Sequence, residues 1–69
     1  MDSHRIEIAI NDGLDDGNRV FVHLINGARI QVTQIEHVNN DFITFHKRRA
    51  FYTVDTKSIV YIENINTAS

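Results

Sequence analysis

The sequence predicts an all-β domain, a small, strongly bent five-stranded antiparallel barrel with room for an extra N-terminal strand. Three observations lead there. Of 69 residues, 21 are Ile, Val or Thr against two Leu and four Ala, a composition that favours strands over helices. Proline is absent, so every residue can donate to a ladder, and Gly13, Gly17 and Gly27 each stand beside Asn or Asp as turn punctuation. Apolar segments of about six residues alternate with short polar turns, and the natural closed form of such a meander is a small barrel.

The elements follow in order. Residues 1–18 form an N-terminal strand or loop extension: Ile6-Glu7-Ile8-Ala9-Ile10 alternates as a strand, and the polar stretch from Asn11 to Asn18 reads as a loop. Two glycines within five residues argue against a long helix there. Residues 19–65 form the barrel. Its first strand, 19–25, puts Val20, Val22 and Leu24 on one face and Phe21, His23 and Ile25 on the other. Asn26-Gly27 then predicts a type I′ hairpin turn. From Ala28 to Val38 the apolar positions are even, slip to odd at Ile35 and return to even at Val38. A strand with one face in a core changes parity only through an inserted residue, so a bulge or sharp bend is expected near Thr33-Gln34 and another at Glu36-His37.

Asn39-Asn40-Asp41 makes the next turn, 42–46 the third strand, Lys47-Arg48-Arg49 a basic turn and 50–54 the fourth strand. Asp55-Thr56-Lys57 turns the chain into the fifth, 58–63. Residues 66–69 are expected to fray. The fifth strand is apolar on both faces at Ile59-Val60-Tyr61-Ile62, whereas a barrel has only one inside. Its outer face and edge therefore call for a partner, and edge-to-edge pairing of subunits through Ile59 and Tyr61 is expected, closing into a homo-oligomeric ring where the rotation permits.

Size and composition narrow the function classes. A chain of this length buries only about 60% of its unfolded surface, and without cysteine it has no disulfide staple and no Cys-based zinc site, which leaves oligomerisation as the stabilising device. No apolar run approaches a membrane span of ~18 residues, and the N-terminus has no apolar signal region, so a cytoplasmic location is expected. The formal charge of −2 hides an asymmetry: residues 1–18 hold one Arg against five carboxylates, while the remainder is net basic. That balance is compatible with an anionic partner without demanding one. There is no nucleophile elbow and no phosphate-binding glycine loop, so catalysis is not expected. The four histidines, His4, His23, His37 and His46, share no spacing that sets two on one face, and neither a metal nor another cofactor is expected.

The stretch from Val20 to Ile62 resembles the Sm-like family, which includes Sm and LSm proteins and bacterial Hfq. The resemblance is carried by Val22-His23-Leu24-Ile25-Asn26-Gly27-Ala28-Arg29-Ile30-Gln31, by Gln34-Ile35-Glu36 with Val38-Asn39-Asn40 and Phe42-Ile43-Thr44-Phe45, and by Tyr52 through Ile62. The family's glycine in the second strand falls on Val32 or Thr33, and its N-terminal helix falls on a segment that reads here as strand. Hfq's basic pair falls on Thr53-Val54, and the Arg-Gly of Sm proteins on Asp55-Thr56.

The resemblance implies an RNA-binding ring, used as an RNA chaperone or post-transcriptional regulator on uridine- or adenosine-rich single strands. Its loop residues would be Asn39 and Asn40 in one turn and Asp55, Thr56 and Lys57 in another, with Lys57 the one suited to phosphate. Bases stack on flat side chains and are read at their edges by amides, which suits Asn residues and Tyr52. Lys47, Arg48 and Arg49 would hold phosphate at the periphery. Each assignment has a structural alternative: a tight turn for Asn39-Asn40, core packing for Tyr52 and a solvated turn for the basic triplet. A ring-forming scaffold or protein-interaction module without RNA binding is the rival function, favoured by the net acidity and by Asp55, which repels phosphate.

Overall fold

The structure, a computed structural model, describes residues 2–67. The order is a helix α1 (Ser3–Asp15), then strands β1 (Arg19–Leu24), β2 (Arg29–Val32), β3 (Gln34–Val38), β4 (Phe42–Lys47) and β5 (Ala50–Asp55), a 3-10 turn η1 (Thr56–Ser58) and β6 (Ile59–Ile65). The strands make two antiparallel three-stranded sheets, β2-β1-β6 and β3-β4-β5. Two expectations are thereby corrected. The expected N-terminal strand is a helix, and the five-stranded closed barrel is two separate sheets, with β5 and β6 each paired on one side only.

The helix forms because Ser3, Ile6, Ile10 and Gly13 recur at three- and four-residue steps, a buried stripe that the Ile6-Ile8-Ile10 alternation conceals. Ile8 is left largely exposed on the outer side. Asp2 caps the start by accepting from the His4 N–H at 3.1 Å. At the other end the Gly17 N–H donates to the Leu14 carbonyl and the Asn18 N–H to the Gly13 carbonyl, with Gly17 at φ 77°, a Schellman ending. Thus neither glycine opposes the helix. Gly17 ends it, and Gly13 lets it lie close to the sheet: a Cβ there would stand 1.8 Å from Asn64 Oδ1 and 2.8 Å from Val20 Cγ2.

The Leu24–Ala28 hairpin also differs from expectation. Gly27 alone takes positive φ, at 88°, while Gly27 N–H donates to the Leu24 carbonyl and Asn26 Oδ1 accepts from the Ala28 N–H, so the turn is not type I′. Both parity slips correspond to backbone breaks: the strand is interrupted at Thr33, and the β3–β4 register shifts between Ile35 and His37. At Thr33 the backbone N–H and the Oγ1 hydroxyl both donate to the His46 carbonyl, at 3.1 and 2.7 Å, which joins the corner between the sheets to β4.

Helix and sheets share one core of Ile6, Ile10, Val20, Val22, Val32, Ile43, Phe45, Val54 and Ile59. The helix packs on β3 of one sheet and on β1 and β6 of the other. Ile65 pairs with Arg19, and the Thr67 hydroxyl donates to the Gly17 carbonyl at 3.0 Å, so this part of the expected frayed tail is tied down. Ala68 and Ser69 lie outside the described residues.

Candidate functional site

The loop residues singled out in the sequence fall into two groups at opposite ends of the β4–β5 hairpin. At one end, Asn39 Oδ1 accepts from the backbone N–H groups of Asp41 and Phe42, both at 2.8 Å, and the Asn39 N–H donates to the Phe42 carbonyl at 3.0 Å. Asp55 Oδ1 accepts from the Lys57 N–H at 2.9 Å and so caps η1. The Thr56 N–H donates to the Asp41 carbonyl, also at 2.9 Å, which draws the two loops together. The Ile25 N–H donates to the Ser58 carbonyl at 2.8 Å and adds the β1–β2 turn to the same end. Asn40, Asp41, Asp55 and Lys57 are all exposed there. The loops therefore present amides and one ammonium group beside two carboxylates.

At the other end, Arg48 and Arg49 form the tight turn that follows Lys47, with Arg48 in the left-handed region at φ 54°. Arg48 and Arg49 are exposed and Lys47 is half-buried. His46 organises this end. Its ring stacks on Phe51 with centroids 4.6 Å apart, Nδ1 lies 3.1 Å from Glu36 Oε1, and Nε2 contacts the Arg48 carbonyl. The two ends are separated by β4, whose six residues span roughly 20 Å. One short segment of nucleic acid could bridge them only by running along the hairpin. Tyr52, half-way along β5, is 40% exposed and paired opposite Phe45. Packing and an open ring edge coexist in that one residue.

Of the two residues expected at a subunit contact, Ile59 is buried in the core and Tyr61 is exposed. The reason is a register shift where β1 passes from His23 to Leu24: Leu24 pairs with Ile59 and His23 with Tyr61, leaving Val60 as the extra residue. Val60 is itself exposed, as is Phe51 on β5.

A third cluster was not singled out from the sequence. On the outer face of the β2-β1-β6 sheet, Tyr61 stacks on His23 with centroids 4.1 Å apart, and the Arg29 guanidinium sits 3.7 Å over the Phe21 ring. Glu63 joins the two pairs, with Oε1 2.9 Å from His23 Nε2 and 3.3 Å from Arg29 Nη2. The His23 hydrogen bond, with the Arg29 charge assisting, holds the Glu63 carboxyl below its ordinary range. Strand alternation places Phe21 and His23 on one face, but only the register of β6 shows that Tyr61 and Glu63 meet them.

No family model, curated protein or solved structure matches this chain. Among the described residues no helix is long and apolar enough to cross a membrane, and no group of three His, Cys, Asp or Glu is placed to hold a metal ion.

Proposed function

We propose that the chain is an Sm-like protein that assembles as a homo-oligomeric ring and binds single-stranded RNA at the end where the Asn39–Asp41 and Asp55–Ser58 loops meet. The observation that carries this reading is the Thr56–Asp41 backbone hydrogen bond. It makes one surface of two loops that are far apart in sequence, the loops to which the family resemblance assigns RNA contact. Asn40 and Lys57 are the exposed side chains there that suit base edges and phosphate. Assembly is supported by the free edges of β5 and β6, which carry exposed Phe51 and Val60 beside Tyr52 and Tyr61. Unpaired strand edges bearing apolar groups invite pairing with another chain.

A second reading, a ring-forming scaffold or protein-interaction module without RNA binding, has its own observation. Asn39's carbonyl oxygen is engaged by its own turn, and Asp41 and Asp55 stand among the loop residues that RNA would approach. The test is fluorescence anisotropy of labelled oligo-U and oligo-A at two salt concentrations, with mass from light scattering on the same sample. Saturable, salt-sensitive binding to a particle several times the 8.0 kDa chain supports the RNA reading, and Lys57→Ala should weaken it. The same particle with no binding leaves the scaffold.

A further inference from the structure

We propose that His46 is a protonation-dependent latch on the basic turn: as an imidazolium it holds the Arg48 carbonyl, and as a neutral imidazole it lets the turn go. The inference stands apart from the RNA and assembly readings, because every group in it belongs to one chain.

Two partners on a single ring carry it. His46 Nδ1 lies 3.1 Å from Glu36 Oε1, and Nε2 contacts the Arg48 carbonyl. An ionised carboxylate and a carbonyl both accept and neither donates, so each ring nitrogen must bring a proton. An imidazolium has two and a neutral imidazole has one. The ring is held in this orientation by its stack on Phe51, with the two planes 3° apart.

The neutral ring gives its single proton to the carboxylate, because a hydrogen bond to a charged acceptor is the stronger of the two. Nε2 then turns a lone pair on the Arg48 carbonyl, and attraction becomes repulsion. That carbonyl belongs to a residue that needs support. Arg48 is the first central residue of the turn between Lys47 and Ala50, and its φ of 54° suits glycine better than a residue with a side chain. Among the described residues it is the one non-glycine residue with positive φ. The bond from His46 therefore restrains a backbone conformation that arginine does not favour.

The charged groups around the ring come from two elements. β3 supplies Glu36, with His37 next along the strand and opposite Thr44. The turn supplies the cations of Lys47, Arg48 and Arg49. β5 contributes Phe51 and Thr53, which carry no charge. The latch is closed in acid and opens as the pH rises across the window of about pH 5–8 in which imidazoles lose their charge. Arg48 and Arg49 are exposed, so acid fixes two guanidinium groups that base sets loose.

The test is NMR of the ¹⁵N- and ¹³C-labelled chain across that pH window. Ring nitrogen shifts count the protons on His46. The Arg48 Cα shift and hydrogen exchange of the Ala50 amide, corrected for its intrinsic pH dependence, report the turn. Protection of Ala50 should fall about three- to tenfold as His46 loses its proton, the range of one hydrogen bond. Glu36→Gln puts a donor opposite Nδ1, so a neutral ring can accept there and still give its Nε2 proton to Arg48; this turn should stay protected in base. His46→Phe keeps a ring on Phe51 with no proton to give, and its turn should be loose at every pH. Circular dichroism checks both folds, and because Glu36 is exposed its variant carries the test should His46→Phe not fold. Turn protection that does not follow the protonation of His46 overturns the latch, and so does a Glu36→Gln chain that loosens in base as the native one does.

Discussion

The β4 and β5 strands belong to one hairpin and have six residues each, yet they occupy different environments. β4 is central in its sheet and buries Ile43 and Phe45 completely, the pattern β1 repeats in the other sheet with Val20 and Val22. β5 buries Val54 alone and exposes its other five residues. The difference is one of neighbours rather than composition, because Ala50-Phe51-Tyr52-Thr53-Val54 is as apolar and strand-prone as Phe42-Ile43-Thr44-Phe45. A strand of that composition at the open edge of its sheet, with one buried side chain, shows that position in the sheet and not residue type decides burial here.

Two phenylalanines give the sharpest way to break the comparison. Phe45→Ala on β4 should cost about 3–5 kcal/mol, comparable to the whole stability of a small domain, and urea titration should find the variant largely unfolded at 25 °C. Phe51→Ala on β5 should cost less than about 1.5 kcal/mol, the range of its His46 stacking. Equal losses would show that β5 is as integral to the single copy as β4.

Tyr61→Asp together with Phe51→Asp should lower the particle mass toward that of one chain while leaving the circular dichroism spectrum unchanged, since both side chains lie outside the core. Gly13→Ala tests how closely α1 must approach. Helix propensity alone would favour Ala by up to about 1 kcal/mol, but the contacts with Asn64 and Val20 should outweigh this at about 1–3 kcal/mol and lower Tm. The smallest effect concerns Glu63. Its carboxyl is held below the ordinary value of 4.5, so its contribution to stability is complete above that pH and is lost as the pH falls through the lower, folded-state value. Denaturant titrations from pH 7 to 3 should show a shallower acid decline for Glu63→Gln.

Much of the strand order was legible because period-2 alternation and turn residues are local signals. Breaks near Thr33-Gln34 and at Glu36-His37 are legible from parity alone, since a buried face leaves no other way to shift it, and the structure interrupts the strand at Thr33 and shifts register between Ile35 and His37. The helix is not legible because Ile6, Ile8 and Ile10 satisfy a period of two as well as Ile6, Ile10 and Gly13 satisfy 3.6, and because a glycine that permits close packing looks in sequence like a helix breaker. The closed barrel failed for a different reason: whether β5 meets β6 within the chain depends on non-local geometry that no local pattern encodes. In the candidate site, the two loops could be named from sequence, but their union through Thr56 and Asp41 could not. The His23–Glu63–Tyr61 cluster likewise needed the register of two strands separated by about forty residues.

Thr33 places both of its hydrogen bonds on a single carbonyl, that of His46, whose ring in turn contacts the Arg48 carbonyl and Glu36. The corner of the fold and the basic turn thus share one residue, the corner through its backbone carbonyl and the turn through its ring. Replacing His46 by alanine would remove the ring contacts with Arg48 and Glu36 and leave both Thr33 bonds an acceptor.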